Sequence, residues 1–266
     1  QLNTMLTSID SVFMSAIAKR TGKNLEELRD IANTMQLKFP QDALDMKFID
    51  GLVYADSVRT LLKERSGIDH DKELRFVGLG DYAGTVDNMG SGKDKVAIIY
   101  ATGAISDGEG DDGIYSANLN REIRKVAKDD KIKAVVLRVN SPGGSALASE
   151  VIYRELQLLH EKKPIVVSMG DVAASGGYYI ACAGDKIYAD ANTITGSIGV
   201  VGMMFNIGDF MEKKLGVTFD AVKTGDYADF PNNYRDMTSM EKDLVQSYLD
   251  SVYITFKTRV ADARGL

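Results

Sequence analysis

From residue 95 onward, short apolar runs rich in Val and Ile alternate with stretches of helical periodicity, and this rhythm constrains the fold more than any other feature of the chain. Residues 95–101, 134–140, 165–169, 186–189 and 217–222 read as strands. Residues 119–127, 146–160, 176–182 and 207–215 read as helices, and residues 239–264 as a long closing helix. Parallel strands need a crossover of a dozen or more residues, usually a helix. Strand-helix alternation therefore predicts an α/β fold of right-handed βαβ units around a largely parallel sheet.

Within that rhythm one corner carries chemistry. A strand is expected to end at Met169, turn at Gly170-Asp171, and lead through Ala173-Ala174-Ser175-Gly176-Gly177 into a helix. No bulky neighbour shields the Ser175 hydroxyl, and the first amides of the new helix lack intrahelical partners and can meet an anion. The same residues also suit a small-residue packing surface with Ser175 as a helix cap.

Two further glycine turns follow sheet strands: Asn140-Ser141-Pro142-Gly143-Gly144-Ser145 and Thr195-Gly196-Ser197-Ile198-Gly199. Ligands of open α/β sheets bind beyond the carboxyl ends of the strands, where these turns converge. A Pro-Gly-Gly turn presents an outward amide that, with the Gly176 amide, would hold a developing oxyanion. Each turn taken singly is also an ordinary βα turn or bulge.

Other residues narrow the chemistry. His160 ends a helix beside Glu161-Lys162-Lys163, and His70 lies in Ile68-Asp69-His70-Asp71, so both are expected at the solvated surface, as is the Lys162-Lys163 helix end. A Ser-His-Asp triad and a histidine-ligated zinc are thereby disfavoured, which leaves lysine as the leading base for Ser175. The single cysteine, Cys182, has no disulfide partner in the chain and is expected to be a small buried residue; no metal and no cofactor is expected. A formal net charge of -6 supplies no basic surplus for nucleic acid. No apolar run is long enough to span a bilayer, so any membrane anchor is expected outside these residues.

The first 79 residues are mostly helical in pattern. Residues 1–20 have apolar side chains at helical spacing, a second helix starts from an Asn24 cap, and another covers 55–65. Residues 80–94, rich in Gly, Asp and Ser, read as a linker to the 95–266 unit. Leu249-Asp250-Ser251-Val252-Tyr253 repeats Ile9-Asp10-Ser11-Val12-Phe13 at an offset of 240 residues, as expected if residues 1–79 close one repeat and 95–266 form the next.

The ordered turns, together with Phe48-Ile49-Asp50-Gly51-Leu52-Val53, resemble the protease IV or signal peptide peptidase A family, a branch of the Clp protease and crotonase fold. The resemblance implies a serine endopeptidase of Ser/Lys type, with Ser175 as nucleophile and Ser197 hydrogen-bonded to the base lysine. It implies an oxyanion hole from the amides of Gly144 (or Gly143) and Gly176, and extended apolar peptides, such as signal-peptide remnants, as substrates. It also implies homo-oligomers on the extracytoplasmic side of a bacterial inner membrane. In single-repeat members the base occupies the place held here by Ala228, which cannot accept a proton. In long members the first repeat supplies the lysine, so the base is expected upstream of Gln1, with Lys223 as the fallback. The competing expectations are a crotonase-like acyl-CoA enzyme, in which Ser175 is incidental, and a non-catalytic peptide-binding assembly module.

Overall fold

The computed structural model describes residues 2–78, 80–82, 93–222 and 227–266. Most of the expected 80–94 linker, and Lys223, lie outside the described residues. The chain divides into two compact units, Gln1–Gly92 and Lys93–Leu266.

The first unit contains α1 (Leu2–Thr21), α2 (Leu25–Asn33), α3 (Pro40–Asp45) and α4 (Ala55–Ser66). Asn24 caps α2 as expected, its Oδ1 accepting from the Glu27 amide at 2.8 Å. Arg29 of α2 reaches Asp10 of α1 at 2.6 Å. Of the apolar side chains described in this unit, only Leu28 and Ile31 are buried. The unit's own core is correspondingly small.

The second unit is built on a parallel sheet. Its strands are β1 (Lys95–Thr102), β4 (Ile132–Ser141), β5 (Ile165–Ala174) and β6 (Lys186–Tyr188) in that spatial order, with β7 (Ile194–Gly196) also pairing β5. The short strands β2 (Ile105–Ser106) and β3 (Ile114–Tyr115) form a separate pair. Crossovers are supplied by α5 (Ser116–Lys128) and α6 (Ala146–His160); after β5 comes α7 (Gly176–Ala181), then α8 (Gly208–Leu215) and α9 (Ser239–Arg264). One face of the sheet packs on helices through Val135, Leu137, Val139, Ile165 and Val167, with Ile152, Leu156 and Leu159 of α6 and Phe256 and Val260 of α9 in the same cluster. Each such side chain, fully buried, stabilises the fold by about 1.5–3 kcal/mol. On β1 the alternate residues Val96, Ile98 and Tyr100 are exposed.

Three expectations are corrected. β5 does not turn at Gly170-Asp171 but runs on to Ala174. A register irregularity against β4 between Val139 and Ser141 accommodates the extra residues, and the Asn140 Oδ1 accepts from the Val172 amide at 3.1 Å. Gly170 is required there, since a Cβ would lie 2.9 Å from the Asn140 side chain. Residues 217–222 are not a strand: they pair with no described strand and are exposed. Lys163 is not a solvated helix end, being 8% exposed, with its Nζ donating to the carbonyls of Val126 and Asp129 at 2.5 Å each. It caps the C-terminus of α5, where backbone carbonyls lack partners and positive charge is favoured.

Candidate active site

The nucleophile candidate stands where β5 passes into α7. Ser175 has φ 51° and ψ −121°, a conformation rare for a residue with a side chain. Holding such a residue costs about 1–3 kcal/mol and requires strong local anchoring. The backbone supplies it: the Ser175 amide donates to the Gly196 carbonyl at 2.9 Å, and the Ser175 carbonyl accepts from the Tyr179 amide at 2.9 Å. The side chain is left to point out of a sharp corner. The hydroxyl has no hydrogen-bond partner among the described residues, so Ser175 is not a side-chain helix cap.

The Pro-Gly-Gly turn is pressed against this corner. A Cβ on Gly143 would lie 2.6 Å from the Gly176 nitrogen and 2.9 Å from the Ser175 Cβ, so only glycine permits the approach. The turn is held from its other side by β2, through Ile105 N to Gly143 O at 2.9 Å and Ser145 N to Ile105 O at 2.8 Å. The Gly143 amide is occupied by the Ser141 Oγ at 3.1 Å. Those of Gly144 and Gly176 have no acceptor among the described residues. Of the two glycines in the turn, Gly144 is thus the one with a donor to offer.

Gly144, Ser175, Gly176 and Ser197 all line one cleft of about 670 Å³. Ser197 follows β7 with φ 48°, and its hydroxyl has no partner among the described residues. The cleft lining contains no lysine and no histidine among the described residues. Ala228 lies in a turn outside that lining. His160 is at the far end of α6, its Nε2 2.7 Å from Asp185 Oδ1; this contact, burial notwithstanding, holds the Asp185 carboxyl below its ordinary range. Cys182 is buried, which pushes its thiol up to about 11. Among the described residues there is no grouping of His, Cys, Asp or Glu fit to hold a metal, and no helix long and apolar enough to cross a membrane.

One wall of the cleft is absent from the sequence expectations. It is α9, which contributes Tyr248, Ser251, Val252, Thr255 and Phe256. The spacing 248, 252, 256 puts one side chain per turn on a single face, and this is the signal that marks it. Glu150 and Tyr179 also line the cleft. Val200 and Val201 also reach the cleft, whereas the nearby Met203 and Phe205 are exposed to solvent.

The family model for peptidase family S49 matches residues 157–266, and that for Clp protease matches residues 94–194. Their overlap holds β5, Ser175 and α7. The chain is 35% identical over 274 residues to the chloroplastic serine protease SPPA of Arabidopsis thaliana, covering 100% of this chain and 40% of that protein. It is 38% identical over 227 residues to Protease 4 of Salmonella typhi, covering 84% of this chain and 36% of that protein. With Protease 4 of Haemophilus influenzae it shares 42% identity over 174 residues, 65% of this chain and 28% of that protein. The chain spans two-fifths or less of these relatives. Over these residues the chain is similar to the S49 peptidases, and its second unit has a Clp protease-like α/β fold.

Proposed function

We propose that this chain carries the nucleophile half of a Ser/Lys-type serine endopeptidase. Ser175 attacks the scissile carbonyl, and the oxygen of the resulting tetrahedral intermediate is met by the amides of Gly144 and Gly176. Two such donors act on charge that develops only in the transition state, each worth about 3–4 kcal/mol. The observation that carries the proposal is the geometry of the corner: a positive-φ serine abutting a glycine turn, its hydroxyl and two amides on the same cleft all without partners among the described residues.

The base is a lysine from outside the described residues, neutral at working pH through burial away from carboxylates, and oriented by the Ser197 hydroxyl. Repetition of residues 9–13 at 249–253 supports a two-repeat protein in which 1–79 end one repeat and the preceding residues deliver the amine. Substrates are extended apolar peptides, in keeping with Leu147, Val201, Val252 and Phe256 along the cleft. The family's setting suggests oligomers working beside a membrane on remnants of signal peptides.

A fluorophosphonate tests the reading. The complete protein is expected to be labelled at Ser175 and to hydrolyse peptide esters, both lost in Ser175→Ala, while the 266-residue chain alone turns over poorly. Retention of CoA on a column with no labelling would favour an acyl-CoA enzyme instead, and equal activity of chain and complete protein would point to Lys223.

A further inference from the structure

We propose that the Tyr179–Glu150–Arg259 cluster is a positioning device for the serine corner, setting the tilt of α7 and with it the direction of the Gly176 amide. The inference rests on Ser175 being the nucleophile and adds to it the residues that hold the oxyanion donor in place.

The need for such a device follows from the length of α7. It has six residues, Gly176–Ala181, and begins at the proposed donor itself. Isolated helices shorter than about 12–15 residues are marginal in water, so the orientation of α7 is fixed by what its side chains are tied to. Ser175 offers no side-chain cap. Tyr179, one turn in, closes the first backbone bond of the helix onto the Ser175 carbonyl at 2.9 Å, so any displacement of its ring is passed to the corner.

Tyr179 is tied down on several sides. Its hydroxyl donates to Glu150 Oε2 on α6, and Arg259 on α9 donates to the other oxygen, Glu150 Oε1, at 2.8 Å. The Arg259 guanidinium stands 5.0 Å over the Tyr153 ring. Tyr153 meets Tyr179 edge-on at 5.4 Å between centroids, and Phe256 of α9 lies against Tyr179 at 4.9 Å. Burial and the Glu150 contact push the Tyr179 phenol well above its ordinary range, so it remains a donor wherever the enzyme works. Glu150 accepts from both partners with separate oxygens, which links three helices through one carboxylate. Among the described residues the Arg259 Nε is buried without a hydrogen-bond partner, while the guanidinium reaches Glu150 through Nη2.

The experiment is carried out on the complete protein and follows the rate of Ser175 acylation by a fluorophosphonate, kcat and KM on a peptide ester, and thermal unfolding. Tyr179→Phe keeps the ring packing and removes only the hydroxyl. It is expected to slow acylation and lower kcat about tenfold with KM within about twofold, because a small misdirection of a catalytic group is felt in the chemical step. Arg259→Met is expected to do the same and Arg259→Lys to recover part of the rate. Since both residues act through Glu150, the Tyr179→Phe/Arg259→Met pair is expected to be no slower than the worse single variant. Acylation at the unaltered rate in Tyr179→Phe, multiplicative losses in the pair, or a rise in KM alone would each overturn the inference. An unaltered protein that is never labelled at Ser175 would remove the nucleophile itself and this inference with it. Labelling that is normal in every variant removes only the positioning role.

Discussion

Replacing Gly143 by alanine probes the approach on which the proposed oxyanion hole depends. The residue has φ 94°, where a Cβ adds about 1–2 kcal/mol of strain. The new methyl would meet the Gly176 nitrogen at 2.6 Å, the Ser175 Cβ at 2.9 Å and the Ala174 carbonyl oxygen at 3.0 Å. Two of these atoms are backbone and the third is bonded directly to it, so no side chain can swing aside. Opening the shortest contact to the 3.4 Å where ordinary packing begins separates the turn from the serine corner by about 0.8 Å. Overpacking of this kind typically costs about 1–3 kcal/mol, so the total is about 2–5 kcal/mol. At about 2–4 °C per kcal/mol for a unit of this size, Tm should fall by roughly 4–20 °C. A shift near 1 Å in catalytic geometry costs on the order of a hundredfold in rate, and acylation of Ser175 should slow by about that factor in protein still folded at the assay temperature. The assay is fluorophosphonate labelling well below the variant's Tm, with circular dichroism to confirm the fold. A folded Gly143→Ala protein acylated at the unaltered rate would refute the claim that this turn and the serine corner form one catalytic unit.

Two further predictions concern stability. Lys163→Met keeps the apolar stem but removes both donors to the end of α5; it should destabilise the second unit by about 2–4 kcal/mol, and a change in the urea midpoint below about 0.5 kcal/mol equivalent would show that water replaces the cap. Glu241, buried at the start of α9, takes two bonds from Arg235 at 2.7 and 2.8 Å and one from the Thr238 amide at 2.7 Å, and these hold its carboxyl down at about 2. A carboxyl depressed in the folded state contributes stability that is fully present above its unfolded value, near 4.5, and is lost as pH falls towards about 2. Glu241→Gln should therefore be less stable than the unaltered protein at neutral pH and show a shallower loss across that acid window; matching acid profiles would disprove the assignment.

What could be seen in the residues was what depends on near neighbours in the chain. Strands β1, β4, β5 and β6 and the helices of the second unit follow from periodicity, and the serine corner from five consecutive small residues; β2, β3 and β7, at two or three residues each, are too short to show a period. Errors arose where a partner from elsewhere in the chain decided the outcome. Gly170-Asp171 has the composition of a turn, yet β5 continues through it because the Asn140 side chain, from the neighbouring strand, takes the Val172 amide. Lys163 has the sequence surroundings of a solvated end, yet α5 presents two carbonyls that require a donor. The same reasoning explains why the cleft was only half visible. Its floor is Ser175 and the glycine turns, each marked by a local motif, while its wall is α9, which the chain reaches more than 60 residues later. An amphipathic helix declares an apolar face but not what that face will meet. The proposed base is an extreme instance of the same limit. A nucleophile on a strained corner is specified by its own turn, whereas a neutral lysine is specified by the environment that desolvates it, and that environment is assembled from distant parts of the protein. In the division of labour proposed above, the corner would fold around Ser175 before the proton acceptor arrives, and only that arrival would make the hydroxyl reactive.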